Sequence, residues 1–404
     1  MRVVMVSKAL VVGIYQRKLE EIARLPGVEL TAIVPSGWRD RRGTVTLDRA
    51  HTSGYHLVDA PLAFNGQYHF HFYPTLGGLL RALRPEVLHM DEEPYNLATW
   101  HALRLGHSVG AKSLFFTWQN LKRRYPWPFR YFEAANYHGA AYAIAGSDDA
   151  QRVLRAKGYR GPVAVIPQFG VDPWIFSPRP GADEEAPAGA RSDADALPPQ
   201  HQGDHERAPG FAIGYVGGLV PEKGVDVLLR ACVGLPVPDW SLSIAGDGPE
   251  RARLTDLAGA LGLGDRVRFL GQMPSTETPD FYRQLDVLVL PSLNRPNWVE
   301  QFGRVLIEAM ASGVVVAGSR SGEIPNVIGD AGLIFPEGDS ASLRDALSGL
   351  AADPARRRAL AAKGRARVLE CFTQERIAAA TYRVYCDMLG LGPGGQAAGR
   401  VCER

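Results

Sequence analysis

The chain has little of what marks several common protein classes. Its 404 residues include only four cysteines. These stand far apart, at Cys232, Cys371, Cys386 and Cys402, with no C-x-x-C pair and no histidine at ligand spacing. That excludes a disulfide-framework fold and a structural zinc, and it predicts free thiols in a reducing cytoplasm. No apolar run reaches the roughly 18 residues that cross a bilayer. The opening Met1-Arg-Val-Val-Met-Val-Ser-Lys8 is interrupted by Lys8 and followed by no small-residue cleavage pattern, so it reads as a first buried strand and not as a secretory signal. An excess of one charge is missing too: 45 basic against 43 acidic side chains leave a formal +2, which gives no argument for nucleic acid as a partner. Apolar residues, by contrast, make up 46% of the chain, enough for the cores of two α/β domains.

In the first half, short β-rich runs alternate with helical patterns, at Val3 to Val6, Leu30 to Val34, Val87 to Met90, Leu114 to Thr117, Tyr142 to Ala145 and Val163 to Ile166. This alternation predicts a parallel, doubly wound sheet. A helix is expected from Gln16 to Leu25, placing Gly13 in the turn after the first strand, at the edge where such folds hold ligands. A dinucleotide-binding domain would need G-x-G-x-x-G there. The chain supplies a single glycine, which argues against that cofactor. Arg17 and Lys18 follow as candidates, with a solvated helix face as their expected role. A second half of the same style has strand-like runs at Ile213 to Val216, Leu242 to Ala245, Val267 to Leu270, Val287 to Leu290 and Val314 to Ala317. The predicted organisation is a first domain over residues 1–178, an acidic Pro/Gly/Ala-rich flexible linker over 179–210, a second domain over 211–372, a final helix over 373–391 and a mobile tail over 392–404.

The most informative stretch is Pro296-Asn-Trp-Val-Glu300-Gln-Phe302-Gly303-Arg304-Val-Leu-Ile-Glu308-Ala-Met-Ala-Ser-Gly313. Two carboxylates bracket a glycine turn and a helix start. Glu300 in the loop can face a hexose and Glu308, inside the helix, a ribose, while the amides of Phe302, Gly303 and Arg304 point at phosphates, because the first N–H groups of a helix lack internal partners. Around it, in order, stand Gly214-Tyr-Val-Gly217-Gly218-Leu-Val-Pro-Glu-Lys223-Gly224, Ala245-Gly246-Asp247-Gly248-Pro249, Asp286-Val-Leu-Val-Leu-Pro-Ser292 and Arg320-Ser-Gly-Glu323-Ile-Pro325.

These segments together resemble the retaining glycosyltransferases of family four, with the GT-B fold of two facing Rossmann-like domains. The resemblance implies an enzyme moving a sugar from a nucleoside diphosphate donor, UDP- or GDP-linked, to a hydroxyl acceptor with retention of configuration, without a metal or other cofactor. By the same likeness Gly217, Gly218, Gly246, Asp247, Phe302, Gly303 and Glu308 bind the donor, and Lys223 neutralises the diphosphate as the bond breaks. Glu300 then accepts hydrogen bonds from donor-sugar hydroxyls. The family's clamp arginine falls at Gly218, a departure; Arg304 or Arg320 supplies the missing charge, with Arg304 preferred for its place at the helix start. On the first domain Gly13, Glu93 of His89-Met-Asp-Glu-Glu93-Pro94, and Gln119 lie on the acceptor or sugar side. Gln119 stands where many members have a histidine, so its role there is orientation and not proton transfer. The Asp193-Ala-Asp195 match to a metal-binding Asp-x-Asp lies in the linker and is discounted.

Two rival functions stay open: a GT-B sugar-nucleotide epimerase, disfavoured by the spacing of Glu300 and Glu308, and a catalytically silent nucleotide-sugar-binding protein, suggested by Gly218 and Gln119. Lys122-Arg-Arg-Tyr-Pro-Trp-Pro-Phe-Arg130-Tyr-Phe132 mixes cations with aromatics. It suits an anionic membrane interface, as in peripheral contact with the inner membrane face, or a phosphorylated or lipid-linked acceptor, or equally a loop and helix whose aromatics pack under the first domain.

Overall fold

The structure is a computed structural model that describes residues 1–40, 43–179 and 210–392. The first half contributes β1 (Arg2–Val6), β2 (Glu29–Pro35), β3 (Gly37–Asp40), β4 (Gly43–Thr46), β5 (His56–Ala60), β6 (Val87–Met90), β7 (Lys112–Thr117), β8 (Tyr142–Ala145) and β9 (Val163–Val165). Seven of these form one sheet in the order β5-β2-β1-β6-β7-β8-β9, and β3 and β4 make a separate two-stranded ribbon. The second half contributes β10 (Phe211–Val216), β11 (Trp240–Ala245), β12 (Val267–Gly271), β13 (Val287–Leu290), β14 (Val315–Ser319) and β15 (Leu333–Phe335). They form a six-stranded sheet ordered β12-β11-β10-β13-β14-β15. Neighbouring strands in both sheets are parallel, the buried pairing that near-continuous apolar runs such as Val287-Leu-Val-Leu290 demand.

Strand order reverses between β1 and β6 in one sheet and between β10 and β13 in the other. A doubly wound sheet opens a crevice at the carboxyl end of such a reversal, because the flanking crossovers leave in opposite directions. The segments at those ends are 7–16 and 91–96 in the first domain, and 217–224 and 291–303 in the second.

The segment after Cys371 ties the halves together. Val171 pairs with Thr373 in a parallel bridge, the Val171 amide donating to the Phe372 carbonyl at 2.9 Å and the Gln374 amide to the Val171 carbonyl at 3.1 Å. Helix Gln374–Leu389 then packs on the first domain, where Ile377, Val384, Tyr385 and Met388 share a core with Leu19, Ile22 and Leu114. Tyr385 bonds His89 Nδ1 at 2.7 Å, and Lys112 donates to the Met388 carbonyl at 2.5 Å.

The structure departs from the sequence reading in several places. The helix expected from Gln16 begins as a tight turn over Gly13–Gln16 and is α-helical over Arg17–Ala23. Arg17 and Lys18 are not solvated: both are buried. Arg17 pairs with Glu20 and with Glu21, the latter at 2.8 Å. Lys18 donates to the Gln168 carbonyl at 2.9 Å and lies 3.7 Å from Asp91. Burial lowers the Lys18 ammonium and raises the Asp91 carboxyl, each partly opposed by the other. Cys232 and Cys386 are free, whereas Cys371 is disulfide-bonded, against the expectation of free thiols throughout. The expected linker, apart from Arg179 and Gly210, and the tail beyond Gly392 lie outside the described residues, as do Asp193 and Asp195.

Candidate functional site

Helix Arg304–Ala311 anchors the second-domain crevice. It is preceded by Gly303 at φ 82° and ψ 55°, with no side-chain cap. A Cβ there would stand 2.9 Å from Leu290 Cδ2 and 3.0 Å from Leu306 Cδ1, so both the left-handed backbone and the tight approach to β13 require glycine. The first amides of the helix that follows have no acceptor within the helix.

Glu300 and Lys223, read as one pair of roles from distant motifs, meet directly: Lys223 Nζ lies 2.6 Å from Glu300 Oε2. Ser292, at the end of β13, donates to the same oxygen at 2.8 Å. The lysine sits 4.9 Å above the Trp298 ring. Glu300 is buried and Lys223 half-buried, so the carboxylate is fixed while the ammonium, with three donors and one used here, keeps two for another acceptor.

Glu308, a turn further along the helix, is also buried. Tyr282 donates to its Oε2 at 2.8 Å, and Arg304 Nε sits 2.9 Å from Oε1. Arg304 reaches further, bonding the Tyr15 hydroxyl of the first domain and lying 5.3 Å from the Tyr15 ring. The two cations assigned to diphosphate therefore each hold one of the two carboxylates.

The glycine loops interlock. A Cβ on Gly246 would fall 1.8 Å from the Gly217 carbonyl oxygen, and the Leu219 amide donates to the Asp247 carbonyl at 3.0 Å. Gly246 thus sets the spacing between the loops after β10 and β11, while the Asp247 side chain is exposed. Gly218 is exposed, and nothing lies within 4 Å of where its Cβ would be. Arg320, the other candidate for the missing charge, is exposed at the end of β14. Phe302 is buried 5.8 Å from Trp118 of the first domain and 5.7 Å from Phe372.

Across the crevice, Glu93 accepts from Thr117 Oγ1 and from the Trp118 amide, both at 2.7 Å. Burial pushes its carboxyl up to about 7 against those bonds. Gln119 is held within its own domain: Lys157 Nζ donates to Oε1 at 3.0 Å and Nε2 donates to Tyr125 at 3.0 Å. Gly13 is buried, a Cβ there falling 2.3 Å from Asp48 Oδ2, and two residues on, Tyr15 accepts from Arg304 of the second domain. Further bridging contacts run from Asn120 to the Val299 carbonyl at 3.0 Å, from Arg123 to the Asn297 carbonyl, and from Gln301 to the Trp118 carbonyl at 3.2 Å. Sequence reasoning missed Tyr15, Trp298, Asn120 and Tyr282, because single aromatics and amides carry no spacing signal. Trp298, two residues before Glu300, was the one within reach of the motif.

Two facing Rossmann-like domains with a crevice between them define the GT-B fold, and solved structures agree over nearly the whole chain. Sucrose-phosphate synthase from Thermosynechococcus elongatus superposes with a TM-score of 0.68 at 22% identity, covering 97% of this chain and 100% of that one. The Anabaena HepE protein in complex with UDP gives 0.67 at 17% identity, over 96% and 100%. Residues 200–367 match the family model for glycosyl transferases group 1. The GDP-mannose-dependent α-(1-6)-phosphatidylinositol monomannoside mannosyltransferase of Mycolicibacterium smegmatis is 37% identical over 153 residues, 36% of this chain and 40% of that protein. A D-inositol 3-phosphate glycosyltransferase of Streptomyces bingchenggensis is 33% identical over 248 residues, 60% of this chain and 51% of that protein. The matches thus span about half of those relatives' length or less.

Proposed function

We propose that this protein transfers a sugar from a UDP- or GDP-linked donor to a hydroxyl acceptor with retention of anomeric configuration, as a family-four enzyme. The observation that carries the reading is the convergence of Lys223, Glu300, Arg304 and Glu308 on the uncapped start of helix Arg304–Ala311. Helix amides receive the diphosphate, the free donors of Lys223 take the charge that develops on the leaving group, and Arg304 adds the cation that Gly218 does not. Glu300 accepts from hexose hydroxyls and Glu308 from ribose hydroxyls. Neutralisation by side chains and amides leaves no step needing a metal. The HepE structures with UDP and with UDP-glucose support a nucleotide-sugar ligand for this fold, and the names of the partial relatives support sugar transfer.

Saturation-transfer NMR against UDP-, GDP-, ADP- and dTDP-sugars tests the donor. One nucleotide series should bind, and Lys223→Ala and Glu308→Ala should each weaken it by about tenfold or more, the loss of a charge-assisted hydrogen bond of about 1.5–3 kcal/mol. Binding by none, or binding indifferent to both changes, defeats the reading. Turnover that gives free nucleotide and an altered sugar without glycoside would indicate epimerisation, and tight binding without turnover a silent binder.

A further inference from the structure

We propose that the first domain docks on an anionic lipid bilayer through a single aromatic and cationic patch formed by residues 64–70 and 122–131. This rests on the transferase reading in one respect only: it identifies the surface from which the hydroxyl acceptor is met. Trp127 is 76% exposed and Phe64 64%, and Tyr68, Phe70 and Tyr131 are each more than two-fifths exposed. The two segments form one surface, because Phe70 packs edge-on against Phe129 at 4.8 Å and His69 lies 5.1 Å from the same ring. Phe129 and Phe132 turn inward and fix the base of the patch, Phe132 being buried, while Trp127 and Tyr131 face out. Phe64 holds a positive φ of 53°, an unfavourable backbone for a bulky side chain that is here left in water.

Charge selects the partner. Lys122, Arg124 and Arg130 are exposed beside the rings, and neither 61–73 nor 121–132 contains a carboxylate. Exposed rings beside cations, in segments that carry no carboxylate of their own, suit a negatively charged interface better than a protein groove, where such charges would need partners. The patch is also continuous with the crevice. Arg123 bonds the Asn297 carbonyl and Asn120 the Val299 carbonyl, so docking would bring the mouth beside Glu300 to the lipid surface.

The test is co-sedimentation of the full chain with phosphatidylcholine vesicles with and without phosphatidylglycerol, at low and high salt, with donor binding measured on the same preparations. Binding should require the anionic lipid and weaken with salt. It should fall by about tenfold in Trp127→Ala/Tyr131→Ala and by about a hundredfold in Lys122→Glu/Arg124→Glu/Arg130→Glu, with donor binding unchanged in both. No binding to anionic vesicles at low salt, or binding that both variants retain, overturns the proposal. So does a dimer that Trp127→Ala dissociates, since the patch would then be covered by a second copy. Failure of donor binding in the unaltered protein would count against the transferase reading and leave the vesicle result standing.

Discussion

At the residue scale, the two motif carboxylates do not stand alone: each is already matched to a cation and to a hydroxyl, Glu300 with Lys223 and Ser292, Glu308 with Arg304 and Tyr282. Burying either acid without such partners would be costly, and two of the partners, Lys223 and Tyr282, come from segments 77 and 26 residues away. This is why the acids, with Lys223 and Arg304, were legible from motifs while the roles of Ser292 and Tyr282 were not. Lys223 was found because its loop has a recognisable form; Tyr282 and Tyr15 belong to no pattern. Gly218 offers a direct experiment. Its Cβ position is open and its backbone lies outside the left-handed region, so Gly218→Arg should fold normally and place a third cation by the loop. Nucleoside diphosphate affinity, read by calorimetry, should rise by about tenfold, the worth of one charge-assisted hydrogen bond. An unchanged affinity would mean that the diphosphate does not pass this loop.

At the scale of elements, the runs read from apolar content became β1, β2, β6, β7, β8 and the edge strand β9 in one sheet and β10, β11, β13, β14 and the edge strand β12 in the other. What escaped were β5, β15 and the β3–β4 ribbon. His56-Leu-Val-Asp-Ala60 lies at a sheet edge with exposed and half-exposed positions, and all four residues of β4 are exposed. An edge strand can be short or half-exposed, and composition hides such strands, although β9 and β12, also at sheet edges, were legible. The turn into helix Arg304–Ala311 gives this scale its own prediction. Gly303→Ala must adopt φ 82° and press a methyl against Leu290, at a cost of about 1–3 kcal/mol. Thermal unfolding should shift down by several degrees, and donor binding should fall further than that shift explains, because the amides lose their aim. Equal loss in Gly27→Ala, which is also in the left-handed region but has open space around it, would show that backbone strain alone is responsible.

On the scale of the whole molecule, the crevice is bridged by named bonds, and one of them involves a titrating group. The Asp148 amide, at the start of a first-domain helix, donates to Glu323 Oε1 of the second domain at 3.4 Å. Burial pushes the Glu323 carboxyl from 4.5 up to about 7, the Asp148 carboxylate adds to the rise, and Asn326, the Asp148 amide and Arg152 oppose it. Because the folded value lies above the unfolded one, this contribution is complete below pH 4.5 and is lost as pH rises through about 7. Glu323→Gln should therefore match the parent near pH 4.5 and exceed it at pH 8, by on the order of 2 kcal/mol in denaturant unfolding. A constant difference across that range would remove Glu323 as the titrating group. Glu93 shifts in the same direction, so the variant should flatten the parent's pH dependence only in part.

The return of helix Gln374–Leu389 to the first domain has a consequence for biosynthesis. The core around Leu19, Ile22 and Leu114 is closed by Ile377, Val384 and Tyr385, more than 250 residues later in the chain. A ribosome making the protein at about 5–20 residues per second would hold that core open for tens of seconds after its strands emerge. The domain made first is thus completed last. Its nascent apolar face is where a holding chaperone would be expected to act, and a premature stop near Phe372 would release a second domain whole and a first domain without its lid.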